Sequence, residues 1–588
     1  MMRKTKIIGT LGPKTRDVES IRKIILAGID GIRINFSHDN HEIHGETVKK
    51  VIQVRTELNK PIPLILDTKG PEIRTGVMKN DEDYRLNLGE TFILTTEEIE
   101  GDHTRVSVTY KGLPADLQKG SRILIDDGLI ELKVNNLTST EIECSVENGG
   151  MLGSRKGINI PDVSVNLPAL TEKDLSDIKF GAETGFDYIA ASFIRTAADV
   201  MKIRQVLEEN GGSDIQIIAK IENREGVENI DEILEVADAI MVARGDLGVE
   251  IPAEQVPVVQ KLLIKKANHV GKPVITATQM LDSMIRNPRP TRAEASDVAN
   301  AIFDGTSVIM LSGETAKGDY PLESIQMMDR IARTAEAEKE NHKQHLRQAS
   351  YGVSMTNAVS HSTCNTAREL GAASIVTITK SGYTARSVSK FKPSCPIMAC
   401  TTSERVQRQL SLVWGCTPLL IEYNEKDSTD DVFAKAVQEI EQMKFVKQGD
   451  IIVLSAGVPV GFAGTTNIMK VQYVGDVLAK GKGYGKKSVT GKASVIKVLA
   501  EADKCFKKGD ILVASKTNNQ YLPYMKKASA IIVEDSTPEE SNHAVIVGQT
   551  LDIPVIIGAS NIVESVRNSV IITVDSEKGY VYNGAIEG

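Results

Sequence analysis

Charged side chains close several apolar segments of this sequence. "IQIIAKIE" (215–222) ends in Lys220 and Glu222, and "AIMVARGD" (239–246) ends in Asp246. If the two segments are neighbouring strands, about 4.8 Å apart, the carboxylates of Glu222 and Asp246 can share one Mg²⁺ and leave its other positions for water and substrate oxygens. Lys220 points to the same side of its strand as Glu222. A buried ion pair between Lys220 and Glu222 is the plainer interpretation. It is compatible with a functional role for Lys220, because pairing would keep the lysine charged and oriented.

Eight short β-branched segments, each followed by a stretch with helical periodicity, recur along the chain. Most lie roughly 25–35 residues apart, the length of one βα unit. Eight such units predict a (β/α)₈ TIM barrel, in which active sites lie at the C-terminal ends of the strands. Polar residues end six of the eight segments, so we expect them to converge on one site; separate solvated turns are the alternative. The segments are residues 5–12, 31–38, 63–70, 187–194, 215–222, 239–246, 273–280 and 307–314.

A long insertion separates the third segment from the fourth. Residues 71–168 contain short alternating strands with Gly or Asp turns, such as "TFILTTEE" and "RVSVTYKG". This pattern predicts a small β-barrel domain inserted into a barrel loop. Because the insertion leaves the rim that carries the polar residues, it can act as a lid that closes over a ligand and excludes water.

The composition is that of a globular protein with several cores. The chain has 588 residues, of which 41% are hydrophobic and 25% charged, and this length predicts roughly three or four domains. A net charge of −8 argues against nucleic acid or an anionic membrane surface as the main partner. The sequence has no run of about 18 apolar residues, and no apolar stretch follows its basic start. Six cysteines without a C-x-x-C pair suit a reducing compartment, so we expect a cytoplasmic protein.

Seven motifs carry a resemblance to one family. They are "RINFSH", "LDTKGPEIRTG", "KIENREG", "ARGDLGVE", "TATQMLDSMI", "PRPTRAEASDVANA" and "MLSGETAKGDYP". Through these motifs, roughly residues 1–475 are similar to the pyruvate kinases. The resemblance implies a barrel, a lid and an α/β effector domain in a homotetramer. It also implies transfer of a phosphoryl group from phosphoenolpyruvate to ADP, giving pyruvate and ATP in glycolysis.

A phosphoryl group in transfer needs positioning and positive charge more than covalent help. The resemblance implies that Lys220 stabilises the charge on this group and that Arg33 adds a second cation at the phosphate. It also implies that Thr278 contacts the substrate near the enolate face that is protonated. Ser312 and Glu314 are expected to extend the proton-relay shell through water. The sequence does not identify the group that delivers the proton.

Further substrate contacts are expected around the same rim. Gly245 lets the backbone offer N–H groups to the substrate carboxylate without a Cβ in the way, beside Asp246. Arg74 and Lys156 match family positions that contact the phosphates of the nucleotide, and Lys156 lies on the lid. These four residues complete the expected binding site for phosphoenolpyruvate and ADP.

Oxygen-bearing residues end the second and third segments. The resemblance implies that Asn35, Ser37, Asp67 and Thr68 bind a monovalent cation, normally K⁺, in addition to the Mg²⁺ (or Mn²⁺) at the carboxylates. Glu72 bears on this expectation, because family members with glutamate at this position need K⁺. Members with lysine there supply the positive charge themselves.

The segment "SIVTITKSGYTARSVSKFKP" (374–393) predicts a strand followed by a hydroxyl-rich turn that opens a helix. Backbone N–H groups at a helix start bind phosphate readily, and ordinary capping of the helix is the alternative. The resemblance implies an allosteric site for a sugar phosphate or nucleotide, with the loop at 455–471 facing it. The expected effector-binding residues are Thr379, Lys380, Ser381, Gly382 and Thr384.

The C-terminal part is an addition that most pyruvate kinases lack. Residues 528–559 are similar to the swivelling phosphohistidine domain of phosphoenolpyruvate-utilising enzymes, with His543 at the position of the phosphohistidine. The usual Gly-Gly and Thr-Ser before the histidine are replaced by "STPEESN". We therefore expect a tail for stability, assembly or regulation, with His543 as a relic.

Two other functions would use parts of the same sequence. A phosphoenolpyruvate–pyruvate phosphotransferase that uses His543 as its carrier would need an ATP-grasp-type domain, and the sequence shows none. A catalytically inactive metabolite sensor would have lost some of the active-site residues, and none of them is missing. Both alternatives are therefore weaker than the kinase.

Two further motifs invite a functional interpretation. "SHDNHEIH" (37–44) spaces His38, His41 and His44 three apart, but on a helix the outer pair lie about 120° apart. We therefore predict a solvent-facing helix instead of a metal site. "GKGYGKKS" (481–488) lacks the spacing of a phosphate-binding loop, and its composition predicts a flexible linker.

The expected domains follow from these boundaries. They are the catalytic barrel (1–70 and 169–345), the lid (71–168), the α/β effector-binding domain (346–475), the linker (476–492) and a C-terminal swivelling-type α/β domain (493–588).

Overall fold

A computed structural model describes residues 2–163, 165–338, 354–424, 426–458 and 465–585. Among the described helices, none combines the length and the apolar character that a membrane crossing would need. The chain forms two compact units. The first unit comprises Met1–Cys364, Thr377–Leu420 and Ala456–Asn467, and the second comprises Asn365–Val376, Ile421–Ser455 and Ile468–Gly588.

Eight parallel strands close into a barrel in the first unit, as the sequence predicted. They follow chain order around the barrel, and the first strand pairs with both the second and the eighth. Most of their residues are buried, because side chains point alternately into the barrel and under the surrounding helices. This explains why the segments are nearly continuous apolar runs. The strands are Lys6–Leu11, Gly31–Asn35, Leu64–Asp67, Tyr188–Ala191, Gln216–Ile221, Ala239–Ala243, Val274–Ala277 and Val308–Leu311.

The strands end earlier than the apolar motifs do. The sixth strand stops at Ala243, so Asp246 lies in the first turn of the short helix Arg244–Glu250. The fifth strand stops at Ile221, directly before Glu222. The expected site residues therefore lie at or just beyond the carboxyl ends of the strands.

Helices cover the barrel and are positioned by apolar stripes and caps. In Val18–Ala27, for example, the buried residues Ile21, Ile24 and Ile25 recur at helical spacing. Thr171, Thr196 and Thr291 each begin a helix with a capping box. The helices around the barrel are Val18–Ala27, His41–Glu57, Glu172–Thr184, Ala197–Glu209, Arg224–Glu228, Ile230–Val236, Arg244–Glu250, Val256–Val270, Arg292–Phe303, Gly313–Ala316 and Pro321–Ala337.

The inserted lid has its own hydrophobic core and a seven-stranded sheet. The two edges of the sheet meet through a bridge between Thr75 and Val108, and the Gly76 N–H donates to the Ser107 carbonyl at 2.7 Å. These bonds draw the sheet into a barrel. In sheet order the strands are Ile73–Arg74, Gly157–Asn159, Arg122–Ile125, Ile130–Leu137, Glu141–Asn148, Thr91–Thr95 and Arg105–Ser107, with Gly150–Leu152 and Tyr84–Leu86 as a separate pair.

The described residues between 354 and 473 form α/β elements, some of which belong to the first unit and some to the second. In the first unit, Ile397–Thr401 and Cys416–Leu420 pair in parallel. The expected domain boundary at 345–346 lies outside the described residues, as do residues 459–464 of the expected facing loop. The other strands here are Ser374–Ile378, Ile451–Ala456 and Ile468–Tyr473, and the helices are Met355–Glu369, Tyr383–Ser389, Glu404–Leu410 and Thr429–Gln442.

The tail forms an eight-stranded mixed sheet in the second unit. In sheet order its strands are Val477–Lys480, Tyr580–Asn583, Ile571–Asp575, Ser488–Ile496, Ile511–Ala514, Ala530–Val533, Val555–Ile557 and Lys482–Tyr484. Its helices are Ala502–Cys505, Leu522–Met525, His543–Leu551 and Ile562–Ser565.

The prediction of a flexible linker at 476–492 is wrong, because three strands of this sheet begin there. The glycines allow close packing instead of flexibility. A Cβ at Gly483 would lie 2.0 Å from the Ser576 carbonyl oxygen, and one at Gly481 would lie 2.3 Å from that of Ile557. Only glycine fits at these two positions.

Candidate active site

The ammonium of Lys220 lies in a buried cage near the end of the fifth barrel strand. Its Nζ is 2.9 Å from Glu222 Oε1 and 3.1 Å from Asp67 Oδ1, and it donates to Ser192 Oγ at 2.7 Å. Burial opposes the charge, but the carboxylates of Asp67 and Glu222 outweigh it and raise the pKa of Lys220 above its usual range. The ion pair with Glu222 is present, and the lysine is held charged.

Glu222 and Asp246 are brought together by the pairing of the fifth and sixth strands. Burial raises the pKa of Glu222 to about 7, while Lys220 opposes this rise and Asp246 adds to it. Burial also raises the pKa of Asp246. Within the described part of the chain, no cluster of three His, Cys, Asp or Glu side chains could hold a metal. A buried and a partly buried carboxylate that repel each other nevertheless fit a hard divalent cation that keeps its other positions for water or substrate.

Asp67 joins the two candidate catalytic cations. Its Oδ2 accepts from Arg33 Nε and its Oδ1 from Lys220, and its side chain is 1% exposed. Burial raises the pKa of Asp67, but the charges of Arg33 and Lys220 outweigh it and hold this pKa below the usual range. Arg33 is further fixed by Thr10 Oγ1, 3.1 Å from its Nη1. One carboxylate therefore orients both cations.

The expected K⁺ ligands lie at or just beyond the ends of two neighbouring strands, with Asn35 opposite Asp67. Asn35 Oδ1 accepts the Ser37 N–H at 3.0 Å. Thr68 Oγ1 accepts the Ser192 N–H at 3.1 Å, and the Thr68 carbonyl accepts from Ser192 Oγ at 2.7 Å. Oxygens of these kinds carry more than one acceptor site, so the set fits a monovalent cation that takes several oxygen donors.

Thr278 has an uncommon backbone conformation after the seventh strand. Its φ is 67° and that of Gln279 is 53°, and such residues concentrate at functional sites. Thr278 Oγ1 accepts the Gly245 N–H at 2.7 Å, so this amide already has a partner. Arg244 supports the turn, because it donates to the Thr278 carbonyl and to Asp297, each at 2.7 Å. Sequence reasoning gave Arg244 no role, although its place in "ARGDLGVE" marked it.

Glu314 connects the loops that follow the seventh and eighth strands. Its Oε1 accepts the Leu281 N–H at 3.0 Å and its Oε2 accepts the Ser312 N–H at 2.8 Å. Burial raises the pKa of this carboxyl. The described contacts of Glu314 and Ser312 thus hold the rim in shape.

A cavity of about 670 Å³ opens between the barrel rim and the lid. Asp246 lines it from the barrel, and the expected nucleotide ligands Arg74 and Lys156 line it as well. Arg74 Nε donates to Glu72 Oε2 at 2.6 Å, and Lys156 Nζ donates to Asp126 Oδ2 at 3.0 Å. Both cations are partly exposed and can exchange these carboxylates for phosphate oxygens.

The expected effector loop has no side-chain cap. The helix Tyr383–Ser389 begins after Gly382, whose φ is 81°, and no side chain accepts from its first N–H groups. Capping by the hydroxyls is therefore absent from this described turn. Lys380 is exposed, whereas Thr384 is buried and its Oγ1 accepts from Thr466 Oγ1 at 3.1 Å.

The three histidines of "SHDNHEIH" do not face solvent together, contrary to the prediction. His44 is buried, stacks on Phe36 with ring centroids 4.0 Å apart, and its Nε2 lies 2.9 Å from the His38 carbonyl oxygen. His41 Nε2 lies 2.6 Å from Asp177 Oδ1. Aromatic packing and an acidic partner on the next helix draw these rings inward.

His543 opens the helix His543–Leu551 in the tail. Its Nδ1 lies 3.1 Å from Thr517 Oγ1 and its Nε2 lies 3.2 Å from Asn519 Oδ1. The side chain of Asn542 caps this helix. Both ring nitrogens of His543 thus contact neutral side chains. The view that His543 is a relic stays a prediction.

Comparison with known proteins places these features in one family. The family description "Pyruvate kinase, barrel domain" matches residues 2–325, "Pyruvate kinase, alpha/beta domain" matches 357–472, and "PEP-utilising enzyme, mobile domain" matches 506–579. Among solved structures, a pyruvate kinase from Cryptosporidium parvum superposes with a TM-score of 0.76 at 38% identity, covering 80% of this chain and 96% of that chain.

Relatives match along the whole chain. A pyruvate kinase of Bacillus licheniformis is 51% identical over 587 residues, and one of Geobacillus stearothermophilus is 49% identical, each with 99% of both chains covered. A pyruvate kinase of Lactobacillus delbrueckii subsp. bulgaricus is 45% identical with 100% of both covered. The chain therefore belongs to the pyruvate kinase family of phosphotransferases, in the bacterial form with a C-terminal domain like that of phosphoenolpyruvate-utilising enzymes.

Proposed function

We propose that this chain transfers the phosphoryl group of phosphoenolpyruvate to ADP at the C-terminal rim of its barrel, giving pyruvate and ATP in glycolysis. The observation that carries the proposal is the ammonium of Lys220, held charged between Asp67, Glu222 and Ser192. Such a charge is in place before the reaction begins. It therefore stabilises negative charge on the transferring group without reorganisation.

Arg33 acts as the second cation in this proposal. It shares the carboxylate of Asp67 with Lys220, so the two cations keep a fixed spacing towards the phosphoryl oxygens. The backbone of Gly245 and the hydroxyl of Thr278 position the remainder of phosphoenolpyruvate. Their mutual hydrogen bond of 2.7 Å keeps both groups on the same side of the rim.

Arg74 and Lys156 are proposed to bind the phosphates of ADP. Both line the cleft beneath the lid, and each is paired with a carboxylate, Glu72 and Asp126 respectively. Exposed pairs of this kind are weak, so nucleotide phosphates can replace them. Closing of the lid over the nucleotide would exclude water from the transfer.

Two kinds of cation belong to the proposal. Mg²⁺ (or Mn²⁺) at Glu222 and Asp246, when bound, supplies positive charge that polarises phosphoryl oxygens. K⁺ is assigned to the oxygens at the ends of the second and third strands. The oxygen atoms available at each place support both assignments. The residues assigned to K⁺ are Asn35, Ser37, Asp67 and Thr68.

Protonation of the enolate is proposed to occur on the Thr278 side of the site. Glu314 and Ser312 order the loops beside Thr278 through backbone hydrogen bonds. Their role is therefore to hold the shell through which a proton passes.

Regulation by a phosphorylated metabolite at residues 379–384 is a further part of the proposal, together with a homotetramer in the cytoplasm. The uncapped turn and the exposed Lys380 support an anion at this loop. In a tetramer, an effector that prefers one of two quaternary states shifts the affinity for phosphoenolpyruvate.

A coupled assay for pyruvate tests the proposal. We expect turnover only when phosphoenolpyruvate, ADP, Mg²⁺ and K⁺ are all present, and a lower KM for phosphoenolpyruvate with the right effector. Pyruvate formation that needs no ADP would contradict the kinase reaction. Turnover that persists in a chelator, or without K⁺, would contradict the cation assignments while leaving the reaction standing.

A further inference from the structure

The side chain of Asp174 joins the two places where the lid is connected to the barrel. The lid leaves the barrel after Gly70 and returns shortly before Thr171. Asp174 Oδ1 accepts the Gly70 N–H at 3.0 Å, and its Oδ2 accepts the N–H and the hydroxyl of Thr171 at 2.9 and 2.6 Å. Gly70 lies 104 residues before Asp174 along the chain. One carboxylate therefore holds both ends of the insertion.

This carboxylate does more than cap its own helix. Asp174 forms a capping box with Thr171, as Asp431 does with Ser428. Asp431 is exposed and its described hydrogen bonds go to Ser428 alone, whereas Asp174 is fully buried. A buried charge is costly unless donors surround it, and bonds from N–H groups to a carboxylate are strong. The distant contact with Gly70 thus distinguishes Asp174 from an ordinary capping acid.

The outgoing end of the lid leads directly to the two cations proposed to bind the nucleotide phosphates. Arg74 follows closely after Gly70, with Pro71 between them, and the ring of this proline fixes one backbone angle. The Thr75 N–H donates to the Lys156 carbonyl and the Lys156 N–H donates to Thr75 Oγ1, each at 2.8 Å. The place of Gly70 is therefore passed on to Arg74 and, through Thr75, to Lys156.

The returning end of the lid is fastened as well. Val165 and Leu167 pack against the lid core, and their carbonyls accept from the two terminal nitrogens of Arg195, each at 2.7 Å. Arg195 follows the fourth barrel strand. The segment then reaches Thr171 and the carboxylate of Asp174, so the return path is bound to the barrel up to the start of the helix.

Contacts farther out between the lid and the barrel are more exposed. Arg224 Nε lies 2.9 Å from Asp162 Oδ1, and their side chains are 40% and 63% exposed. Asn159 Nδ2 donates to Glu250 Oε1 at 2.9 Å, and both residues are partly exposed. Exposed ion pairs contribute little free energy. These outer contacts can open when the lid moves, while the buried bonds of Asp174 remain.

The cage around Lys220 is held independently of Asp174. The Thr68 N–H donates to the Ala190 carbonyl at 3.0 Å, and Thr68 Oγ1 accepts the Ser192 N–H at 3.1 Å. These bonds join the ends of the third and fourth barrel strands. A change at Asp174 should therefore act on the lid more than on the cage.

We propose that Asp174 is a positioning residue for nucleotide binding, because it anchors both ends of the lid and so sets where Arg74 and Lys156 stand over the barrel rim. The inference rests on the kinase reaction proposed above and concerns a residue that contacts neither of its substrates. Without the anchor the lid is no longer held in one place. Binding of ADP then weakens, whereas binding of phosphoenolpyruvate in the barrel is kept.

The variant Asp174→Asn tests the anchor. It keeps the size of the side chain but replaces one acceptor oxygen by an NH₂ donor, which then faces an N–H group of Gly70 or Thr171. We expect the KM and the Kd for ADP with Mg²⁺ to rise about tenfold, the value of one hydrogen bond to a charged group. The KM for phosphoenolpyruvate should stay near that of the wild type. A variant that melts at a lower Tm but keeps the wild-type KM and Kd for ADP would overturn the proposal.

Calorimetric titration gives the Kd for ADP without turnover. A wild-type chain that binds ADP but forms no pyruvate would therefore contradict the proposed reaction, and the Kd of Asp174→Asn would still test the anchor.

Thr171→Val is the matched control. It removes the capping hydroxyl from the same helix, but it keeps the carboxylate of Asp174 and both backbone N–H groups that this carboxylate binds. The control should lower Tm and leave the Kd for ADP unchanged. An equal rise of this Kd in Thr171→Val and Asp174→Asn would assign the effect to the helix start and contradict the proposal.

Hydrogen–deuterium exchange of the wild type tests the anchor even if Asp174→Asn fails to fold. The amides of Gly70 and Thr171 should exchange slowly both without and with ADP, because their bonds to a buried carboxylate persist while the lid moves. Fast exchange of either amide in the protein without ADP would show that the anchor does not hold, and would overturn the proposal.

Discussion

Ser192 Oγ lies 2.7 Å from Lys220 Nζ and 2.7 Å from the Thr68 carbonyl oxygen. The serine is the neutral member of the cage and positions the ammonium between two carboxylates. We expect Ser192→Ala to lower kcat about tenfold, the value of one hydrogen bond to a charged group. The KM for phosphoenolpyruvate should change little, because the charge itself remains.

Ser494→Ala is the matched control for this variant. Ser494 is a buried serine of the second unit whose Oγ donates to Asp510 Oδ2 at 2.7 Å. It loses a comparable hydroxyl outside the active site and should keep its kcat. Equal kcat values for Ser192→Ala and wild type would show that the serine does not position Lys220.

Removing the ammonium itself should be far more severe. We expect Lys220→Ala to fold and to bind phosphoenolpyruvate, while kcat falls by about 10²–10³-fold or more, the usual cost of losing one preorganised charge. Single-turnover kinetics and equilibrium binding separate the two effects. Near-normal turnover in the folded variant would remove Lys220 from the mechanism.

Glu72 allows a charge-replacement test of the K⁺ requirement. Activity should collapse when tetramethylammonium replaces K⁺, and Glu72→Lys should restore much of it, because an ammonium then stands where the charge of the ion acted. Glu72→Gln is the control: it also removes the carboxylate charge that pairs with Arg74 at 2.6 Å, yet adds no positive charge and should still need K⁺. Wild-type activity that is indifferent to K⁺ would refute this interpretation of Glu72.

The effector loop can be tested without touching the active site. Thr384→Ala combined with Lys380→Ala should abolish activation by a phosphorylated metabolite and leave basal kcat unchanged. Thr466→Val serves as a control, because it breaks the 3.1 Å bond to Thr384 and leaves Lys380 in place. Full activation of the double variant would move the effector site elsewhere.

The tail is expected to be dispensable for catalysis. A chain that ends at Asp476 stops before the first tail strand, Val477–Lys480, and should still convert phosphoenolpyruvate and ADP, with lower heat resistance or altered activation. Labelled phosphoenolpyruvate should leave no acid-labile phosphate on the full chain. Label that appears in wild type and vanishes in His543→Ala would revive the carrier hypothesis.

Local pattern was enough to predict the barrel. Each strand is a buried apolar run, and the residues that follow it converge because parallel strands end on one rim. This reasoning did not identify Ser192 as a residue of the site. Its partner Thr68 is 124 residues away, across the inserted lid, and only the register of the third and fourth strands brings the two together.

Composition led to wrong predictions at positions where side-chain and backbone packing determines the structure. The glycines and lysines at 481–488 suggest flexibility, yet Gly481 and Gly483 are needed for close approach to neighbouring backbone. His44 likewise looked exposed from its polar surroundings in sequence. The ring of Phe36 that buries it lies in the turn before this helix, directly after the second barrel strand.

The tail begins and ends at the same place. Its first strand pairs antiparallel with its last, Val477 opposite Tyr582, and the Asn583 N–H donates to the Asp476 carbonyl at 2.7 Å. A module whose two ends are fastened together needs only one point of attachment. In evolution, such a domain can be gained by one terminal fusion or lost by one truncation. Neither event removes a strand from the sheets of the remaining protein.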